Sequence, residues 1–187
     1  QHNRFNGNIL VAEGGKIIFQ KSYGVRDFRS GQPLNDSSVF MLASASKQFT
    51  AAGILLLENQ GKLDVQDSLS KYFPELPYKV TLHHLLTHTS GLPDYEFVLA
   101  QKWNKINVAN NNDVIALLAS EKLPLNFRPG TRWEYSNTGY VLLASVIEKV
   151  SGVNYADFLT ASIFAPLGMA HTGVFNPRTS QAALENY

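Results

Sequence analysis

The 187-residue chain contains no cysteine, which excludes disulfides and thiolate metal sites and leaves the redox character of its compartment open. Charge of one sign is equally scarce. Sixteen basic and 15 acidic residues give a formal net charge of +1, and no basic block offers the footprint of a nucleic-acid binder. No apolar run approaches the roughly 18 residues that span a bilayer. The opening residues from Gln1 carry neither an initiator methionine nor a signal-peptide layout, so the expectation is a chain from which an upstream piece has been removed.

What is present suits a globular protein. The composition is 44% hydrophobic and 17% charged, enough to bury roughly 70% of the unfolded surface in one domain. Asn8 to Glu13 and Lys16 to Tyr23 are β-rich runs joined by Gly14-Gly15, the two-residue connection that a tight hairpin prefers. Lys47 to Asn59 has helical apolar spacing and ends before Gly61. The stretch from Tyr72 to Tyr78, with Pro74 and Pro77, reads as a loop, after which Thr81 caps a short helix, LHHLLTH, that stops at Ser90-Gly91.

Further helices are expected over Asp113 to Ser120, Tyr140 to Val150 and Tyr155 to Ile163, the last closed by Pro166. The Asn-rich stretch Asn104 to Asn112 reads as a polar loop, with Asn112 or Asp113 as the cap of the next helix. The inventory is two strands and about five helices. A lone hairpin is marginal in water, so the chain reads as one domain, 1–187, from which strands are missing.

Two short patterns carry chemistry. Ser44-Ala45-Ser46-Lys47 has the form S-x-x-K at the entry to a mostly buried helix. At that position a serine has a free backbone N–H to aim at a developing oxyanion, and the residue three places on shares its face. Lys47 therefore reaches the Ser44 hydroxyl, and burial in an apolar helix is one way to make a lysine accept a proton. Tyr135-Ser136-Asn137 stands at the entry to a second helix. Tyr135 is suited to proton transfer, Ser136 to relay or capping, and Asn137 to donating an amide hydrogen bond to a substrate carbonyl or to capping.

In series these patterns resemble a known family. Phe40 to Thr50 (FMLASASKQFT), His84 to Leu92 (HLLTHTSGL), Pro129-Gly130 before Tyr135-Ser136-Asn137, and Pro166-Leu167-Gly168-Met169 resemble the class C β-lactamase and serine-type DD-peptidase family in order and spacing, from about Phe5 to about Phe175. The resemblance implies an α+β fold of the β-lactamase/transpeptidase type, an antiparallel sheet flanked by a helical region with the site at their junction. It also implies acyl transfer through Ser44, with Lys47 and Tyr135 shuttling the proton and Asn137 binding substrate, no cofactor, and a periplasmic or secreted location. The substrate would be a β-lactam, a D-Ala-type peptide or a small ester or amide.

One part of the family pattern is not found. A third motif, Lys-Thr-Gly or His-x-Gly, belongs on a strand facing the nucleophile, farther on than the 50 residues that follow Asn137. His171-Thr172-Gly173 fits the letters but directly follows Pro-Leu-Gly-Met, where a structural turn is expected. Loss of one oxyanion donor costs on the order of 100- to 1000-fold in turnover. The expectation is therefore a chain trimmed at both ends, completed by a second chain or segment, or else a non-catalytic penicillin-binding-like binding or sensory module.

Other features have plainer readings. His83, His84 and His88 include a zinc-like i, i+4 pair, but no third ligand and no H-E-x-x-H accompany them, so no metal is expected. His2 and His171 are isolated. Trp103, Trp133, Tyr95 and Tyr135, with loops around Asp94 and Arg132, are expected near the site or in packing.

Overall fold

The computed structural model describes residues 5–104 and 108–175. His2 and the middle of the Asn-rich stretch lie outside them. The chain divides into two compact units, the first reaching Leu42 and also taking in Phe175, the second Ala43–Val174.

The first unit holds four short strands. Strand β1 (Gly7–Glu13) pairs antiparallel with β2 (Lys16–Tyr23). Gly14 and Gly15 both have positive φ, 56° and 77°, which is why two glycines suit this turn: its backbone twist matches that of the strands, and a side chain there would be strained. The register shifts between Val11 and Ala12, a bulge that the alternation of residues does not announce. Strands β3 (Val25–Asp27) and β4 (Gln32–Pro33) form a second antiparallel pair. They were not expected, because three and two residues are too few to show a period.

The second unit is helical. A 3₁₀ turn, Ala43–Ser46, leads into α1 (Lys47–Asn59), and α2 (Leu82–Leu86), α3 (Tyr95–Lys102), α4 (Asn111–Glu121), α5 (Asn137–Ser151) and α6 (Tyr155–Leu159) follow. Helix α5 is the central post. Leu142, Leu143, Val146 and Ile147 are fully buried, and α5 packs against α1, α2, α4 and α6. Burying each such side chain stabilises the unit by about 1.5–3 kcal/mol. Gly53 lets α1 approach closely: a Cβ there would lie 2.9 Å from Ile147 Cδ1 and 3.2 Å from Phe158 Cε1.

Several expectations are corrected. Among the described residues there are four strands and six α-helices. The missed helix is α3, where a loop around Asp94 was expected; Asp94 is its N-cap, accepting from the Glu96 N–H at 2.8 Å. Helix α4 is capped by Asn110 instead of Asn112 or Asp113. Helix α5 begins at Asn137, not Tyr140, because Ser136 caps it through the Gly139 N–H at 3.1 Å. The segment Tyr155 to Ile163 turns from α6 into a π-type turn at Thr160–Phe164. Thr81 caps α2 as expected, with a reciprocal bond from its own N–H to His84 Nδ1 at 3.1 Å. The Tyr72–Tyr78 stretch is without helix or strand, yet Tyr72, Phe73, Leu76 and Tyr78 are buried in the core.

Candidate active site

Ser44 lies inside the 3₁₀ turn, three residues before the start of α1, where the sequence had suggested the helix end itself. The difference tightens the pair: at three residues per turn, i and i+3 eclipse, and Lys47 Nζ donates to Ser44 Oγ at 3.3 Å. Ala43, just before Ser44, has φ 47°, a left-handed conformation uncommon for a side-chain-bearing residue.

Tyr135 arrives from 91 positions away, and its hydroxyl donates to Ser44 Oγ at 2.6 Å. Lys47 Nζ also donates to Asn137 Oδ1 at 2.9 Å and lies 4.9 Å from the Tyr135 ring centre and 5.6 Å from that of Tyr140. Ser44, Lys47, Tyr135 and Asn137 thus form one hydrogen-bonded cluster. Polar contact with Lys47, then with Ser44, holds the Tyr135 phenol below its usual 10. A cation beside a phenol stabilises the phenolate.

The second helix entry is fixed by buried polar contacts. Thr138 Oγ1 donates to Pro93 O at 2.7 Å and accepts the Tyr95 N–H at 2.9 Å, tying the start of α5 to the start of α3. That tie brings Glu96 near the cluster, and its Oε1 accepts from Asn137 Nδ2 at 3.4 Å. The Asn137 amide, expected to meet substrate, is thus engaged on both its atoms in this state.

Sequence reasoning missed Glu96 and the part played by His88. The Asp94-x-Glu96 pattern is a helix-start signal that would have located the first. The Nδ1 atoms of the two histidines have separate duties: His84 Nδ1 serves the Thr81 cap, and His88 Nδ1 accepts the Ser136 N–H at 3.0 Å. Burial, then His83, pushes His84 below 6.5; burial, then Lys47, does the same to His88. Among the described residues no three His, Asp or Glu side chains are placed to hold a metal. Trp133 is exposed with its ring 6.1 Å from that of His88, and Trp103 ends α3. His171-Thr172-Gly173 lies in a turn in which the Thr172 N–H reaches Met169 O at 3.1 Å.

A Ser-x-x-Lys turn facing a Tyr-Ser-Asn helix entry within a helical unit, in a chain whose other unit holds small antiparallel ladders, fits the β-lactamase/transpeptidase fold. The Beta-lactamase family model matches residues 1–187, and the chain belongs to that family. It is 47% identical over 188 residues to penicillin-binding protein 4* of Bacillus subtilis, covering 100% of this chain and 42% of the relative. Among solved structures, a penicillin binding protein from Bacillus halodurans superposes with a TM-score of 0.82 at 35% identity, over 95% of this chain and 55% of that one. A D-amino acid amidase from Ochrobactrum anthropi does so with a TM-score of 0.75 at 30% identity, over 90% and 48%. The chain therefore spans about half the length of the proteins it matches. No described helix is long and apolar enough to cross a membrane.

Proposed function

We propose that this chain carries the nucleophile of a serine acyl hydrolase, with Ser44 attacking the carbonyl carbon of a β-lactam, a D-Ala-type peptide, or a small ester or amide. The observation that carries the reading is the convergence on Ser44 Oγ of Lys47 Nζ at 3.3 Å and Tyr135 OH at 2.6 Å. A serine hydroxyl is a weak nucleophile until a neighbour accepts its proton. The Tyr135 phenolate, favoured by Lys47, takes the Oγ proton as the Oγ–C bond forms. That proton then goes to the departing nitrogen or oxygen as its bond to the carbonyl carbon breaks. The resulting ester on Ser44 is released by water or an amine.

The same reading makes Asn137 a substrate-binding group that exchanges Glu96 for an acyl-side carbonyl. It places the whole protein in the periplasm or outside the cell, a location supported by relatives named penicillin-binding proteins. A further segment or second chain supplies the wall that faces Ser44, consistent with matched proteins about twice this length.

Intact mass before and after incubation with a penicillin, followed by peptide mapping, tests the proposal. The expected result is one adduct per chain on Ser44, absent from Ser44→Ala with folding unchanged. An adduct of equal yield in Ser44→Ala, or one mapped to another residue, overturns it. Multiple turnovers per Ser44 distinguish the hydrolase from a binding or sensory module that acylates once and stops.

A further inference from the structure

His88 does more than its place in a helix-ending turn requires. Its backbone is left-handed, φ 57°, and its carbonyl accepts the Glu134 N–H at 2.9 Å. Its ring stacks on that of Tyr135, with centres 4.7 Å apart and planes 31° apart, and on that of Tyr140 at 5.1 Å and 34°. Its Nδ1 accepts the Ser136 N–H at 3.0 Å. Three consecutive residues, 134 to 136, are thus gripped by one residue through its carbonyl, its ring face and its ring nitrogen.

The Nδ1 contact works in only one protonation state. A neutral imidazole with its proton on Nε2 accepts at Nδ1, whereas an imidazolium has donors at both nitrogens and opposes the Ser136 N–H. We propose that His88 is a positioning residue of this site, a neutral imidazole that holds Tyr135 against Ser44, so that protonating it uncouples the nucleophile from its proton acceptor. The proposal rests on the reading of Ser44 as the nucleophile.

The surroundings favour the neutral form. Lys47 of α1 faces the ring as a cation, Tyr135 and Tyr140 cover it, and the Glu134 carboxylate is engaged by Arg132 at 2.6 Å and Asn126 at 2.9 Å. Histidine meets three demands at once, a tolerated left-handed backbone, an aromatic face and a side-chain acceptor for the Ser136 N–H. Asparagine meets the first and third and does not titrate.

The experiment compares wild type with His88→Asn by two readouts across pH. These are the rate of penicillin adduct formation and the NMR shifts of the His88 ring, the Ser136 amide and the Tyr135 ring. In wild type the Ser136 and Tyr135 signals follow the His88 titration, below pH 6.5, and the decline of the acylation rate steepens over the same range. His88→Asn loses that break, and its rate at higher pH is lower on the order of 10- to 100-fold because Tyr135 has lost its ring support. A break that persists in His88→Asn overturns the proposal. So do Ser136 and Tyr135 signals indifferent to His88 titration, whether or not Ser44 reacts. Absence of any Ser44 adduct with the NMR linkage intact refutes the hydrolase reading and leaves the positional lock standing.

Discussion

Tyr135→Phe isolates the proton-transfer step from the architecture of the site. The ring is supported by stacking on His88, with centres 4.7 Å apart, and the hydroxyl by a 2.6 Å bond to Ser44 Oγ beside its polar contact with Lys47. Phenylalanine keeps the stack and removes the bond. Losing one such bond costs about 0.5–1.5 kcal/mol of folding stability. Loss of a positioned proton acceptor costs about 10²- to 10⁴-fold in rate, about 3–5 kcal/mol of barrier at 1.36 kcal/mol per decade.

Rapid-quench mass spectrometry of the penicillin adduct measures that rate. The pH profile gives a second, independent reading of the same step. In wild type the rate rises with pH as the phenol ionises and levels off below pH 10, because Lys47 and Ser44 lower the Tyr135 pKa. This alkaline limb is absent from Tyr135→Phe. A mutant rate within about threefold of wild type, with the limb retained, would refute Tyr135 as the acceptor and leave Lys47 to take the proton alone.

Lys47→Ala removes the donor shared by Ser44 and Asn137, and acylation is expected to fall at least as far; a rate like wild type removes Lys47 from the mechanism. Gly91→Ala drives a Cβ into Phe127 O at a position whose φ is 70°, and a loss of about 2–4 kcal/mol follows. An unchanged melting temperature would contradict the close approach. Asp67 accepts from Lys71 and Tyr72, each at 2.6 Å. Burial raises its carboxyl, but these bonds outweigh that and bring it from 3.8 to about 2. A carboxyl lowered on folding contributes stability above its unfolded value that is lost as pH falls through the folded one, here about 2 kcal/mol. Asp67→Asn should therefore flatten acid unfolding between pH 3.8 and 2, and a mutant curve parallel to wild type would count against the triad.

Legibility in the sequence followed the range of the interactions. The hairpin was readable because Gly14-Gly15 separates two β-rich runs, α1 and α5 because their apolar residues repeat at helical spacing, and the Thr81 cap because its partner is three residues away. Helix α3 was missed because its eight residues bury Val98 alone, too little to print a period. The aromatic run from Tyr72 to Tyr78 was rightly read as irregular, but nothing local marks it as core.

The sequence by itself determined the Ser44–Lys47 pair, since an i, i+3 spacing at a helix entry brings two side chains together wherever the helix goes. Through a series of family motifs it also led to the expectation that Tyr135 and Asn137 join them. Only the tertiary structure decided how they meet. Packing of α5 against α1 sets the 2.6 Å contact between Tyr135 and Ser44, and the Thr138 tie to α3 brings in Glu96. The fold also turns His88 from a member of a zinc-like spacing into the support of residues 134–136. Those contacts join residues 41 to 91 positions apart, and no local periodicity records a distance that packing alone closes.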